Sequence, residues 1–326
     1  MSPILPNTFG INAQCRRLVE FTSEDELLQA LPAIDLCQPL LVVGQGSNLL
    51  PTGDFEGTVL HSAIKGIEVN GVEVRCGSGE SWDDVVAYCV DKGLYGAENL
   101  SLIPGDVGAS AVQNIGAYGV EAKDLIESVE AIEIATGKKV VFSNADCQYG
   151  YRHSRFKDEW RGRFLITYVS YRLSRTFLPK LDYGIIRSAL VAKGIISPTA
   201  KELCDTIIAI RREKLPDPKV YGNAGSFFMN PVVGRGQYET LAKRFPSIPH
   251  YDVDDQRVKI PAAWLIEQCG WKGRHVGRAG VYEKQPLVLV NLGGATGEEV
   301  VHLCQLICHD VREQFGIVIK PEVNIV

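Results

Sequence analysis

A serine in the C-terminal half of the chain follows a run of small residues and precedes two phenylalanines. Residues 221–231 are Tyr-Gly-Asn-Ala-Gly-Ser-Phe-Phe-Met-Asn-Pro, in which the serine is Ser226. Glycines let a ligand approach the backbone closely, so the Ser226 hydroxyl could reach a reacting atom. The Gly-x-Ser-x-Gly elbow is missing, and no histidine follows at a spacing that indicates a serine hydrolase. A glycine-bearing turn ahead of a buried strand is the alternative.

A second glycine-rich turn follows the apolar residues 40–43, which predict a buried strand. Gly44, Gln45, Gly46, Ser47 and Asn48 would present successive backbone amides, an arrangement that binds phosphate. The third glycine of the dinucleotide-binding fingerprint is missing, and no clear helix follows. The pattern favours a pyrophosphate loop outside the Rossmann fold, with a plain strand–turn–strand as the alternative.

A longer glycine-rich stretch, residues 102–119, has neither a helical nor a strand period. We expect an extended loop here, and a loop of this length in a compact domain usually binds a ligand. Its amides and small side chains suit a large, flat cofactor with phosphate groups better than a metal ion.

Arg152 ends the sequence Tyr-Gly-Tyr-Arg at residues 149–152. A guanidinium group can hold a carboxylate through two parallel hydrogen bonds. A solvated arginine on a loop is the alternative.

The sharpest candidates for metal ligands are His302, Cys304, Cys308 and His309. The spacing places both cysteines on the apolar face of a predicted helix, so we interpret them as core hydrophobes and predict no metal site. The chain has nine irregularly spaced cysteines, which predict reduced thiols rather than a disulfide framework.

Composition excludes some classes of partner. The chain has 326 residues, a formal net charge of −5 and no basic run, so we expect no nucleic-acid partner. The sequence shows neither a signal pattern nor an apolar run long enough to span a membrane. We therefore expect no membrane partner and a cytoplasmic protein.

The elements that must position these residues alternate between helices and strands. We predict helices over 27–31 after a capping box at Ser23, from Ser81 to Gly93, and over 199–214, 260–270 and 296–315. Hairpins are predicted over 67–76 and 128–142, and strands over 164–173 and 286–291. Residues 175–198 are expected to be an irregular insert, and the prolines after Lys214 indicate a domain boundary.

Five stretches, taken together, resemble the UDP-N-acetylenolpyruvoylglucosamine reductase family. They are residues 43–48, 103–119, 149–152, 222–228 and 321–323, which stand in the family's order and span nearly the whole chain. The insert around Tyr183 resembles the longer, type I branch, in which an extra loop folds over the substrate.

This resemblance implies an α/β (α+β) protein with the vanillyl-alcohol-oxidase/PCMH-type FAD-binding fold. Two FAD-binding subdomains would cover residues 1–66 and 67–214, the second containing the insert 175–198. A C-terminal α/β substrate-binding domain would cover 215–315, followed by a C-terminal strand over 316–326 that carries Glu322.

The reaction implied by the resemblance is the reduction of an enolpyruvyl ether on a UDP-sugar, with FAD as cofactor and NADPH as co-substrate. NADPH would reduce the flavin, which would pass a hydride to the methylene carbon. Arg152 would stabilise charge on the substrate carboxylate, and Glu322 would share that charge through a hydrogen bond when protonated. Ser226 would donate a proton to the α-carbon, which is basic enough to accept it from a serine.

The resemblance also assigns binding roles. Contacts with UDP would come from Tyr183, Lys214, Asn230 and Gln285, each of which is otherwise a surface polar residue. The implied FAD-binding residues are Gly44, Gln45, Gly46, Ser47, Asn48, Leu49, Pro104, Gly105, Gly108, Ala109, Ser110, Gln113, Asn114, Gly116, Ala117 and Tyr118. We expect a monomer whose partners are the UDP-sugar and NADPH.

Three residues depart from the family's pattern. Asp106 stands where threonine is usual, next to the expected cofactor phosphates, so its negative charge must point away or be paired. Met229 replaces a common lysine, and Asn324 replaces a frequent arginine. None of them is among the three catalytic candidates.

Two other hypotheses stay open at this stage. One is an oxidase or dehydrogenase of small alcohols on the same FAD scaffold, although such enzymes commonly tether flavin through a histidine or cysteine and neither glycine loop contains a histidine. The other is a flavin- or nucleotide-binding protein without turnover, in which Ser226 is a turn residue.

Overall fold

Amphipathic periods and turn residues account for most of the elements in the computed structural model, which describes residues 2–183 and 185–326. The described residues form eight α-helices: α1 Glu24–Ala30, α2 Trp82–Asp91, α3 Val107–Gln113, α4 Ile186–Ala192, α5 Ala200–Lys214, α6 Arg235–Arg244, α7 Ala262–Gln268 and α8 Gly297–Phe315. The strands are β1 Cys15–Phe21, β2 Leu40–Val43, β3 Leu49–Leu50, β4 Phe55–Ser62, β5 Ile67–Asn70, β6 Glu73–Gly77, β7 Gly116–Ala117, β8 Val120–Glu121, β9 Ile126–Glu133, β10 Lys139–Ser143, β11 Phe164–Arg172, β12 Val232–Gly234, β13 Tyr251–Asp252, β14 Arg257–Lys259, β15 His275–Val276, β16 Ala279–Val281, β17 Leu289–Asn291 and β18 Asn324–Ile325.

The chain divides into two units. Unit 1 contains Met1–Pro6, Cys15–Gln45 and Glu56–Glu213, and unit 2 contains Asn7–Gln14, Gly46–Phe55 and Lys214–Val326. The finer division into four segments stays a prediction.

Unit 1 is built on two sheets. A three-stranded sheet has the order β1-β4-β2, and a five-stranded antiparallel sheet has the order β10-β9-β11-β6-β5. One core cluster, with Leu27, Leu60 and Ile132, joins α1 to strands of both sheets. A larger cluster contains Val85 of α2, Ala111 of α3 and Val169 of β11. Burial of these apolar side chains fixes the segments on either side of α3.

Unit 2 is assembled from short strands and three helices. Its sheets have the orders β12-β14-β13, β15-β16-β17 and β18-β3, the last a parallel pair that joins Asn324 to Leu49 and Ile325 to Leu50. Helix α8 begins with a capping box in which Thr296 and Glu299 bond each other's backbone amides. The helix ends at Gly316, whose φ of +65° suits a glycine.

The structure confirms most of the predicted elements. The hairpins around Gly71 and Gly137 are β5–β6 and β9–β10. The capping box at Thr199 and Glu202 precedes α5. Ser81 stands at the N-cap of α2, as predicted, but its side chain makes no capping hydrogen bond; its backbone instead pairs with Asp106 in an isolated β-bridge.

The expectation of an uninterrupted loop over residues 102–119 was wrong, because α3 lies within it. Val107 and Ala111, four residues apart, face the core, Val112 packs against it partly buried, and the other helical positions hold small or polar residues. Gly108 packs against Ser78. A helix with such short side chains has too few large apolar groups to show a period.

Two further expectations need correction. The insert 175–198 is not wholly irregular: Ile186 and Leu190 of α4 pack with Leu203 and Ile207 of α5. The predicted C-terminal strand over 316–326 is reduced to β18, and Glu322 lies outside it. The preceding residues pair through an isolated bridge instead, between Pro321 and Phe228.

In the two described stretches, no helix is both long and apolar enough to cross a membrane.

Candidate active site

The turn after β2 is held against the start of α3 by close packing inside unit 1. A methyl group on Gly44 would lie 2.6 Å from Oδ2 of Asp106, so this position excludes larger residues. The Gln45 side chain donates from Nε2 to Oδ1 of the same carboxyl at 2.6 Å. The first two residues of the predicted phosphate loop are thereby fixed to the segment that begins at Pro104.

Backbone amides of this loop remain available for an anion. Within residues 2–183 and 185–326, no carbonyl group accepts from the amide of Gly44 or from that of Gly46. Gly46 has a φ of +69°, which turns the chain back on itself. A turn amide that lacks an acceptor is suited to a phosphate group.

Several of the predicted cofactor residues have side chains that are already hydrogen-bonded to other residues of the protein. Ser110 is buried and donates to the Val107 carbonyl at 2.7 Å, and its oxygen lies 2.8 Å from the Tyr171 hydroxyl. Gln113 accepts from Lys157 Nζ at 2.6 Å. These side chains shape the loop, and any contact they make with a cofactor must come from their backbone or remaining atoms.

Asn114, in the second half of residues 102–119, is held by side-chain hydrogen bonds to two other segments. It adopts a φ of +45° and is fully buried. Its Nδ2 donates to the Gly150 carbonyl at 2.7 Å, and its Oδ1 accepts from the Lys123 amide at 2.9 Å. The bond to Gly150 ties the glycine loop to the segment that carries Arg152.

The other predicted cofactor residues differ in exposure. Gly105 and Gly108 are buried, Pro104 and Ala109 are exposed, and Ala117 is half-buried. Leu49 is buried in unit 2, where β3 pairs with β18. Ser47 and Asn48, in the turn between β2 and β3, are half-buried.

Arg152 has a backbone conformation that aims its side chain at the glycine loop. Its φ is +55°, uncommon for a residue with a Cβ atom. One guanidinium nitrogen donates to the Gly116 carbonyl at 2.5 Å. A methyl group on Gly116 would lie 2.8 Å from the other terminal nitrogen, so this glycine makes room for the guanidinium group.

A second arginine, Arg211 of α5, belongs to the same cluster and was missed from the sequence. Burial lowers the pKa of Arg211, opposed by Tyr118 and Asp83, and the positive charge of Arg152 lowers it further. Burial likewise raises the pKa of Tyr118, opposed by its contact with Arg211. Arg212, the next residue, is exposed, and no local pattern separates the two.

Tyr183 is brought to this cluster by the insert. Its ring meets that of Tyr118 edge to face, with centroids 6.2 Å apart. Unit 1 therefore groups two arginines and two tyrosines, a set that can bind a carboxylate or phosphate and cover it with aromatic surface.

In unit 2, the backbone before Ser226 packs so closely against Phe9 that Gly222 has no room for a side chain. A methyl group on Gly222 would lie 2.0 Å from the Phe9 carbonyl oxygen. Asn223 donates to the Tyr221 carbonyl and exchanges backbone and side-chain bonds with Thr8.

Ser226 itself is half-buried and follows Gly225, whose φ is +69°. The next residue, Phe227, donates its amide to Leu287 and accepts from the Glu322 amide, both at 2.7 Å. Ser226 and Glu322 therefore lie on adjacent backbone segments of unit 2. No hydrogen bond to the Ser226 hydroxyl occurs in the described part of the chain.

The predicted UDP-binding residues occupy separate positions. Lys214 is the half-buried last residue of α5. Asn230 accepts the amide of Ala262 at the start of α7 at 2.9 Å, and Gln285 accepts from Leu287 at 3.4 Å.

The comparisons with known proteins agree with this geometry. The model of an FAD binding domain matches residues 16–143. The model of the UDP-N-acetylenolpyruvoylglucosamine reductase C-terminal domain matches residues 217–326.

Curated relatives match over nearly their full length. A UDP-N-acetylenolpyruvoylglucosamine reductase of Bacteroides fragilis is 52% identical, with 98% of this chain and 97% of the relative covered. One from Porphyromonas gingivalis is 49% identical, with 98% and 96% covered. The crystal structure of the Thermus caldophilus enzyme superposes with a TM-score of 0.69 at 23% identity, covering 98% of this chain and 95% of that one.

Fold and loops together define an FAD-dependent oxidoreductase with the predicted two-part FAD-binding fold and C-terminal domain. The chain belongs to the UDP-N-acetylenolpyruvoylglucosamine reductase family. The residues of unit 1 fit the cofactor at the Gly44 turn: the Gly44 amide has no acceptor within residues 2–183 and 185–326, and the Gln45 side chain fixes the turn through its bond to Asp106. The individual FAD-binding roles stay predictions.

Proposed function

We propose that the chain reduces UDP-N-acetylenolpyruvoylglucosamine to UDP-N-acetylmuramate with NADPH, a step in peptidoglycan precursor synthesis. The observation that carries this proposal is the hydrogen bond from the Glu322 amide to the Phe227 carbonyl, which joins the backbone of Glu322 to the glycine-rich segment that contains Ser226. Family membership and the FAD-binding domain support the same conclusion. When bound, FAD would supply the hydride that adds to the methylene carbon of the enolpyruvyl double bond, with NADPH as the source of that hydride.

Arg152 stabilises the charge that develops on the substrate carboxylate. Hydride addition to a double bond conjugated with a carboxylate leaves an enolate-like species, whose extra electron density lies partly on the carboxylate oxygens. The hydrogen bond to the Gly116 carbonyl fixes the guanidinium group beforehand. A preorganised positive group costs no rearrangement when the charge appears, which is why it lowers the barrier. Arg211 adds a second positive charge to the cluster.

Ser226 donates the proton that completes the reaction at the α-carbon. A serine hydroxyl is a weak acid, but an enolate-like carbon is basic enough to accept from it. The hydroxyl is free to turn toward a substrate, since no other group in the described residues engages it. Glu322, in its acid form, donates a hydrogen bond that shares the charge of the substrate carboxylate.

The UDP portion is bound by side chains outside this trio. Lys214 supplies a positive charge for a phosphate, Tyr183 covers the nucleotide from the insert, and the amides of Asn230 and Gln285 orient uracil or diphosphate. We further propose that the enzyme acts as a cytoplasmic monomer, which fits a pathway that draws on NADPH and nucleotide sugars.

Product analysis tests the proposal. Purified protein should show flavin absorption bands. Incubation with NADPH and the enolpyruvyl UDP-sugar should give a product heavier than the substrate by two hydrogen atoms, with one NADPH consumed for each product formed. Flavin reduction by NADPH without this product would overturn the proposed reaction. Oxygen uptake with a small alcohol would then identify an oxidase on the same scaffold, and no turnover of any kind would identify a binding protein.

A further inference from the structure

Asp106 is an acidic group in the segment that is predicted to lie next to the two negative phosphates of the cofactor. The residue is 5% exposed and stands at the N-cap of α3, yet its side chain does not cap that helix. Oδ1 accepts from the Gln45 side chain, and Oδ2 is buried with no hydrogen-bond partner among the described residues, although the Gln45 backbone amide also acts on the carboxyl. The carboxyl therefore faces the Gly44 turn, and its Oδ2 atom accepts no hydrogen bond from the described residues.

The surroundings oppose a negative charge on this carboxyl. Burial raises the pKa of Asp106, while the hydrogen bond from Gln45 and the charges of His61 and Lys65 act in the other direction. Neither cation bonds to the carboxyl: His61 Nδ1 lies 3.0 Å from the Val43 carbonyl, and Lys65 donates to the Gly79 carbonyl and pairs with Glu80. An ionised Asp106 would keep one buried oxygen with no hydrogen bond from the described residues.

The position of the carboxyl couples it to the loop. Oδ2 would lie 2.6 Å from a methyl group on Gly44, and Oδ1 holds the side chain of the next residue. Any charge on Asp106 thus lies next to Gly44, whose amide has no acceptor among the described residues. Two like charges across so thin a layer of protein would repel each other with little solvent between them.

We propose that Asp106 is a positioning residue for the pyrophosphate of FAD and that it acts as the neutral carboxylic acid, holding Gln45 and the Gly44 turn in place. The proposal rests on FAD binding to this chain. It explains how this family member carries an acidic residue next to the phosphates without losing its cofactor.

The direction of the pH effect follows from linkage. Pyrophosphate next to the carboxyl disfavours its ionised form, so FAD binding takes up a proton. Affinity for FAD should therefore fall as the pH rises above the pKa of Asp106 in the FAD-free protein, by up to about tenfold per pH unit.

The experiment compares FAD dissociation in wild type, Asp106→Asn and His61→Gln. Each holoprotein is diluted serially between pH 5 and pH 8.5, and the fluorescence of released FAD gives the dissociation constant. In Asp106→Asn, the amide oxygen can still accept from Gln45, and the side chain stays neutral. We expect wild type and His61→Gln to lose affinity as pH rises, and Asp106→Asn to bind FAD at pH 8 at least as tightly as wild type with little pH dependence.

Other outcomes overturn the proposal in distinguishable ways. Weaker FAD binding by Asp106→Asn at every pH would mean that the ionised carboxylate is needed, for example to hold a cation against the pyrophosphate. Loss of the pH dependence in His61→Gln alone would assign the titration to that histidine. A wild-type protein that contains no FAD would instead contradict the proposed function itself.

A second measurement keeps the test valid should Asp106→Asn not fold. Calorimetry of FAD binding to wild type at pH 8, in two buffers of different ionisation enthalpy, counts the protons exchanged. Repeated between pH 5 and pH 8.5, the measurement should show net proton uptake on FAD binding, and proton release, or zero uptake at every pH, would overturn the proposal.

Discussion

The glycine-rich segments of the two units differ in what their polar side chains do. In unit 1, the side chains of Ser110, Gln113 and Asn114 are bonded within the protein. In unit 2, contacts at Gly222 and Asn223 hold the backbone, and the Ser226 hydroxyl is bonded to nothing in the described chain.

The difference separates two ways of building a site. A loop that cradles a cofactor contributes backbone amides, so its side chains can serve as scaffold. A segment that delivers a proton must keep one hydroxyl free and rely on backbone contacts for rigidity. Variants in the two units should therefore fail in different ways.

Ser226→Ala should have the largest effect. Reduction of the flavin by NADPH should proceed normally, because the hydroxyl is proposed to act only in the second half-reaction. Reoxidation by the enolpyruvyl substrate should slow by about 10²-fold or more, the usual contribution of a positioned general acid. Stopped-flow absorbance of the flavin follows both steps, and Ser247→Ala at an exposed serine of unit 2 is the control. An unchanged second step would refute the proton-donor role.

Arg152→Ala should impair the same step from unit 1, by about 10²-fold, the loss typical of one preorganised charge-stabilising group. Unlike the serine variant, it should also raise KM, because the guanidinium group binds the ground-state carboxylate as well. Steady-state kinetics over a range of substrate concentrations separate these effects. Wild-type values of both kcat and KM would contradict the assignment.

Gly222→Ala should damage unit 2 through its backbone. The new methyl group would overlap the Phe9 carbonyl oxygen, and relieving that overlap should lower the free energy of unfolding by about 2 kcal/mol or more. Gly236→Ala is the matched control, since a methyl group there meets nothing within 4 Å and lies in α6. Thermal denaturation should show a lower Tm for the first variant only. Equal Tm values would mean that the Phe9 contact does not constrain this segment.

Arg211→Ala should have the smallest effect on turnover. The variant removes the positive partner of Tyr118 and one of two charges in the cluster, so we expect KM to rise by about 10-fold, the value of one hydrogen bond to a charged group. The exposed neighbour Arg212→Ala should behave like wild type. Equal KM values for both variants would place Arg211 outside the site.

The fold followed from sequence where side chains are large or turns are specific. Hairpins with glycine turns and helices with capping boxes were recognisable, as in β5–β6 and α5. Helix α3 was not, because its small residues carry no apolar period, although Val107 and Ala111 do face the core.

Within the candidate site, Ser226 and the glycine loops could be selected from local sequence. Arg211 could not, because only tertiary packing distinguishes it from Arg212. The hydrogen bond of the Ser110 side chain could not be predicted for the same reason, since its partner Tyr171 is distant in sequence.

The most direct test of the central claim is an anaerobic flavin assay on the wild-type protein. NADPH should bleach the flavin absorption, and addition of the enolpyruvyl UDP-sugar should restore it. A flavin that NADPH reduces but the UDP-sugar fails to reoxidise would contradict the account.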